Sequence, residues 1–264
     1  MRSILLRTLY EKRIFMLGWT FGISSLSALM VVFYPSMKAE GAIDALVANM
    51  PPALEGLVGD IANLRDFSTY LASQLFDIRS SIIIGIMALI LGLNLGTSDE
   101  ERGDLRTTLA LPVSRTSMFI QRWFALAIVT AVVSLGFFIG IYATSPFIKD
   151  ASIGLDTMLS LVGMTCLVML LLGSITYAVG AATGKRGVAA FVGIVLLAGS
   201  YVITILGTAV SWIEVIEPLS PLYYFSAVEI AKEGIEVTNV TILSSEICIA
   251  LAVALLFFRS RDIA

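Results

Sequence analysis

Histidine is absent from the 264 residues, cysteine occurs twice, and only 14% of the chain is charged. Each shortage removes a class of function. Without imidazole there is no His-based metal centre and no His general base, which excludes most intramembrane-protease chemistry. Cys166 and Cys248 each lie inside an apolar run rather than an aqueous loop, so a disulfide framework is not expected. The scarcity of charge is itself patterned. Hydrophobic residues make up 58% of the chain, with a mean hydropathy of +0.93, far from the balance of a soluble domain. They collect in uncharged runs of the length that a bilayer demands.

Charges bound these runs. Ile14 to Phe33 lies between Arg13 and Lys38, Ser80 to Ser98 between Arg79 and Asp99, and Trp123 to Ile148 between Arg122 and Lys149. Thr157 to Gly184 and Gly187 to Ile213 are separated only by Lys185 and Arg186, which predicts a tight helical hairpin. A last run, ended by Arg259, is interrupted by Glu246. Each can cross about 30 Å of hydrocarbon as a helix. The expectation is an all-α membrane protein, residues 1–264 forming a single transmembrane domain. Its six transmembrane helices fall at about 14–33, 80–98, 123–146, 157–184, 187–211 and 240–258. The basic start of the chain lacks an A-x-A-like cleavage site, so the first run is read as a retained span.

With both termini on the cytoplasmic side, 12 of the 17 basic residues fall in inner segments and 5 in outer ones. That is the positive-inside bias. Tyr10 and Trp123 then lie at the inner interface, and Tyr34, Tyr142, Trp212, Tyr223 and Tyr224 at the outer one, as interfacial aromatics do. The N-terminal stretch sets Ile4, Leu5, Leu6 and Leu9 against Arg2, Arg7, Lys12 and Arg13, the pattern of an interfacial helix anchored in headgroups. In the first outer segment, Ile43, Leu46, Val47 and Met50, then Leu54, Leu57, Val58 and Ile61, recur at helical spacing on either side of Pro51 and Pro52. They predict two amphipathic outer helices that form a lid over the bundle or, alternatively, gate a substrate. The last outer segment, Ser211 to Asn239, holds Pro218 and Pro221 among apolar residues and can dip into the interface.

Between the second and third spans, Ser98 precedes Glu101 by three residues, a capping-box spacing. A short cytosolic helix is expected to start there and stop before Pro112, with Leu105 and Leu109 on one face. It serves either as a surface helix resting on headgroups or as a lever for a soluble partner. A second start is expected at Ser114. Other patterns carry less. Gly180 to Arg186 is one residue short of a phosphate-binding loop and has Arg where Ser or Thr is needed. The pairs Gly18/Gly22, Gly92/Gly96, Gly136/Gly140 and Gly180/Gly184 permit close helix approach. Glu246 is the one ionisable residue expected below the headgroups; it can snorkel, contact the outer loops, or serve a substrate path or interface.

The stretch Glu100-Glu101-Arg102-Gly103-Asp104-Leu105-Arg106-Thr107-Thr108-Leu109-Ala110-Leu111-Pro112-Val113-Ser114-Arg115 resembles the E-x-x-G-x-L-x-x-L-L-x-x-P-V-S-R signature of ABC-2 type transporter permeases. Leu219-Ser220-Pro221-Leu222-Tyr223-Tyr224 resembles that family's outer segment, and Phe258-Arg259-Ser260-Arg261-Asp262-Ile263 its ending. Thr108 stands where the first Leu of a pair is expected, and Ser260 separates an expected Arg pair. The resemblance implies the permease subunit of an ATP-binding cassette exporter in the cell membrane. Such a permease is paired with a second copy or a homologous permease. ATP and Mg are bound by a separate ABC ATPase, with no cofactor on the chain itself. It implies that Glu101, Arg102, Gly103, Leu105, Leu109 and Pro112 form the contact with that ATPase, and that the cargo is hydrophobic or amphipathic, such as a drug, antibiotic or lipid-like compound. No nucleic acid partner is expected. Against a proton- or sodium-driven carrier stands the near absence of ionisable residues in the spans. Against a membrane enzyme stands the lack of paired intramembrane carboxylates or metal ligands. An accessory or sensor subunit of a transport complex is a further alternative.

Overall fold

The computed structural model describes residues 4–39, 66–101, 114–207 and 215–260, and among these all regular structure is helical. In chain order the elements are α1 (Ile4–Ala39), α2 (Phe67–Leu71) running into a π-helical turn (Ala72–Phe76), α3 (Ile78–Glu101) and α4 (Arg115–Thr144). These are followed by α5 (Leu155–Thr183), α6 (Arg186–Gly207), α7 (Ala227–Glu233) and α8 (Val237–Ser260). Five described helices are long and apolar enough to cross a membrane: α1, α4, α5, α6 and α8. The second expected span corresponds to α3, whose apolar stretch, Ile82–Thr97, is shorter. The expected outer helices over residues 43–61 lie outside the described residues.

Local chemistry sets several helix ends. Ser114 caps α4, its hydroxyl accepting from the Ser117 N–H at 3.2 Å, as the second expected start requires. Gly184 ends α5 at φ 66, and its N–H donates to the Gly180 carbonyl at 2.8 Å. Glycine reaches that left-handed conformation without a Cβ clash. α6 follows at Arg186, so the predicted hairpin is present.

Two expectations are corrected. The N-terminal basic stretch is not a separate interfacial helix: α1 runs unbroken from Ile4 through the first span to Ala39, because no proline or glycine precedes Gly18. Nor does a new helix begin at Ser98. Residues 98–101 form the last turn of α3, since Gly96 and Thr97 just before them are held helical against α5. The Thr97 hydroxyl donates to the Leu93 carbonyl at 2.9 Å, and a Cβ on Gly96 would lie 2.8 Å from the Tyr177 carbonyl. A capping box needs an extended backbone at its first residue.

Packing divides the bundle into two tight pairs. α1 lies along α4, where a Cβ on Gly140 would overlap the Ser24 carbonyl and the Ser24 hydroxyl donates to the Gly136 carbonyl at 3.0 Å. α3 lies along α5, where a Cβ on Gly92 would overlap the Gly173 carbonyl. Three of the four glycine pairs thus contribute to contacts within the chain, whereas Gly18 and Gly22 have nothing within 4 Å. α6 packs against α3 and α5, and α8 mainly against α5. Thr165 and Thr176 donate back one turn, to Leu161 at 2.7 Å and to Leu172 at 2.9 Å, so their polarity is satisfied without water.

Candidate functional site

The two ends of the bundle differ in charge and in construction. At one end the Leu5 N–H donates to Gln121 Oε1 at 3.2 Å, Arg115 Nη1 reaches the Arg259 carbonyl at 3.5 Å, and Tyr177 Oη donates to the Phe119 carbonyl at 2.8 Å. These bonds gather both chain ends, the start of α4 and the α5–α6 hairpin together. Arg7, Lys12, Arg13, Arg115, Arg122, Lys185, Arg186 and Arg259 all belong to this end. Trp123, placed at an interface from sequence, is half-buried here and donates its indole N–H to Ser174 Oγ at 2.8 Å. Tyr10 is exposed, with the Arg13 guanidinium 3.5 Å above its ring, a cation–π contact suited to a headgroup layer.

Of the six sequence-assigned contact residues, Glu101 is the last residue of α3, at this same end. Arg102, Gly103, Leu105, Leu109 and Pro112 lie outside the described residues. The helices on either side of them are firmly held: α3 by its glycine seam with α5, and α4 by the Ser114 cap and its packing on α1.

The far end is acidic. Among described residues it carries Asp66, Asp77, Asp150, Asp156, Glu217, Glu229, Glu233 and Glu236 against Lys38, Arg79, Lys149 and Lys232. Here the described part of the last connecting segment packs onto the bundle. Ser220, Pro221 and Leu222 of the Leu219-to-Tyr224 motif are buried, while Leu219 and Tyr223 are exposed. The Ser220 hydroxyl donates to the Ser200 carbonyl of α6 at 3.3 Å, and Tyr224 Oη to the Pro218 carbonyl at 2.8 Å. A cavity of about 310 Å³ opens beside this fold, lined by Tyr224, Glu229, Glu233, Glu236 and Asn239 among others.

Glu246 sits on α8 about 14 Å along the axis from Val237, half-buried between the buried Leu243 and Ile247. It lies on the half of α8 nearer the acidic end and remote from Glu101. Burial first, then the charges of Glu246 and Tyr223, push the Tyr224 phenol above its ordinary value.

Sequence reading missed the segment Asp66 to Asp77. Phe67, Tyr70, Leu71, Ala72, Leu75 and Phe76 are at most 2% exposed, although connections ordinarily run over the surface. Asp66 caps α2 by accepting from the Thr69 N–H at 3.1 Å. Tyr70 Oη donates to the Met30 carbonyl of α1 at 3.0 Å, and burial raises its phenol above the ordinary range, so it stays protonated and able to donate. The signal was present: an Asp cap followed by Phe67, Tyr70, Leu71 and Leu75 at i, i+3, i+4 and i+8.

The family model described as ABC-2 family transporter protein matches residues 12–263, nearly the whole chain. The chain belongs to the ABC-2 transporter family. A search of the curated proteins found no match. As an ABC-2 family member, the protein is a membrane-embedded transport component and not a catalytic enzyme by itself. The match runs from the first turns of α1, through both tight helix pairs and the buried Ser220-Pro221-Leu222 turn, to the end of α8.

Proposed function

We propose that this ABC-2 family chain is the permease subunit of an ATP-driven exporter of hydrophobic or amphipathic compounds. Residues 1–264 act as one transmembrane domain of six spans, with α3 as the span that falls short by apolar length. Its 24 helical residues extend about 36 Å, enough to cross about 30 Å of hydrocarbon. Both termini face the cytoplasm across the cell membrane. ATP and Mg are held by a separate ATPase subunit, and the permease pairs with a second copy or a homologous permease.

The observation that carries this reading is the position of the α3–α4 connection. The segment with the family-like signature leaves α3 at Glu101 and re-enters α4 at Arg115, at the bundle end that holds eight described basic residues against four at the other. The positive-inside bias makes that end cytoplasmic, where a soluble ATPase can reach it. In this reading Glu101, Arg102, Gly103, Leu105, Leu109 and Pro112 contact the ATPase, and motion delivered there enters the membrane through α3 and α4. Glu246, on the half of α8 nearer the acidic end, belongs to the outer part of the substrate path.

Two measurements test the proposal. Tagged chain purified from its native membrane should bring down a nucleotide-hydrolysing subunit in comparable amount. Leu105→Asp should leave insertion intact while separating ATP hydrolysis from transport. Recovery of the chain with no ATPase, or coupled transport by Leu105→Asp at the wild-type rate, would overturn the reading.

A further inference from the structure

The buried segment Asp66 to Asp77 joins α1 to α3, so it links the α1–α4 pair to the α3–α5 pair at the acidic end. The connection between α3 and α4 links the same two pairs at the basic end. One side of the segment is seated on the first pair. The Tyr34 ring of α1 meets Phe67 at 4.9 Å and Tyr70 at 5.2 Å, Tyr70 Oη donates to the Met30 carbonyl, and Phe76 lies 4.8 Å from Phe137 of α4. Its other side meets α3, α5 and α7, the short helix of the last connecting segment. The ring contacts make this seat largely apolar on the side of α1 and α4, with the Tyr70 hydroxyl adding a hydrogen bond to α1.

The backbone is built to yield at the same place. α2 lasts five residues before the chain loosens into the π-helical turn, and Asp77 then adopts an extended conformation, ψ −173, before α3 begins. The i→i+5 pattern is rare, and where it occurs it is frequently at a functional site. The segment is therefore jointed to α3 and not a rigid extension of it. The glycine seam makes α3 and α5 move together. A displacement of α3 against α4 at the basic end is then felt at the acidic end as a change in the gap that the segment fills.

We propose that Asp66–Asp77 is the outer gate of the permease, a wedge between the α1–α4 and α3–α5 pairs that leaves its seat when the ATPase drives one pair against the other. The inference rests on the exporter reading above. It assigns the segment a role beyond covering the bundle.

The test uses the permease–ATPase complex with Cys166→Ala and Cys248→Ala, and a single cysteine introduced by Leu71→Cys, at a position 0% exposed. A membrane-impermeant maleimide is added from outside. Labelling should be slow without nucleotide and rise by roughly tenfold or more during ATP turnover, since a gate shut at rest leaves the open state at about 10% or below. Phe147→Cys, at a position 86% exposed at the same end, should label equally in both conditions. Adding Leu105→Asp should abolish the ATP-driven rise while hydrolysis continues. Ala72→Cys, a smaller change at another 0% exposed position, replaces Leu71→Cys if that variant does not fold. An ATP-hydrolysing complex in which the buried cysteine labels at one rate throughout overturns the gate alone. A chain that carries no ATPase overturns the exporter reading and the gate with it.

Discussion

α5 and α8 are both strongly apolar helices of this protein, yet 61% of the apolar window of α5 is buried inside the molecule and only 17% of that of α8. The difference cannot come from hydrophobicity, because lipid tails satisfy an apolar side chain as well as a neighbouring helix does. What separates them is glycine, which α5 has at its seam and α8 lacks. α5 presents Gly173, Ser174, Thr176 and Gly180 to its neighbours, which lets α3 approach backbone to backbone and gives Trp123 an acceptor. α8 carries Val253, Leu256 and Phe257 with 49–67% of their surface exposed. In a membrane, close approach and hydrogen bonds hold helices together, and apolar surface alone does not.

The comparison can be broken most directly by one substitution made on both helices. Leu171→Ala on α5, at a fully buried position, should cost about 2–5 kcal/mol through lost contacts and a cavity. Leu256→Ala on α8, 67% exposed, should stay within about 0.5 kcal/mol. Thermal unfolding of the purified chain in one detergent reads both, and equal losses would mean that α8 is as much core as α5. A change of sign sharpens it further. Gly92→Ala drives a methyl into the Gly173 carbonyl and should destabilise by about 1–3 kcal/mol. Gly18→Ala, with nothing within 4 Å, should stabilise by up to about 1 kcal/mol through helix propensity. Trp123→Phe loses the indole bond to Ser174 and should cost about 0.5–1.5 kcal/mol. A loss no larger than that of Leu256→Ala would remove that bond from the account of why α4 and α5 hold together.

How much could be read in advance follows from the same physics. Hydrocarbon thickness imposes a run length, so the cores of the long helices are visible in the sequence. Their ends are visible only where local chemistry marks them, as at Ser114 and Gly184. α1 begins ten residues before its expected span, at Ile4, because hydropathy registers the apolar part of a helix and is blind to a basic turn that continues it. The false start at Ser98 had the right spacing for a capping box. Tertiary contact of Gly96 and Thr97 with α5 overrode a local preference worth about 1 kcal/mol. Burial of Asp66 to Asp77 was hidden for another reason. Its apolar periodicity covers only two to three turns inside a long connection, and nothing local says that five other elements close around it. For the site, Glu246 was legible as an ionisable residue in an apolar run, but its effect on Tyr224 depends on how the last connecting segment packs.

The length of α1 has its own consequence. Thirty-six residues in one helix extend about 54 Å, nearly twice the hydrocarbon thickness of about 30 Å. The excess is not free to flop, because Gln121 holds the Leu5 amide and the glycines of α4 hold the middle. The two helices form a stiff double spar longer than the sheet it pierces. Its inclination is set by where the apolar band meets the surrounding oil, so a thicker or thinner membrane leans both helices at once and reaches Tyr34 and Phe137 without any cargo being bound.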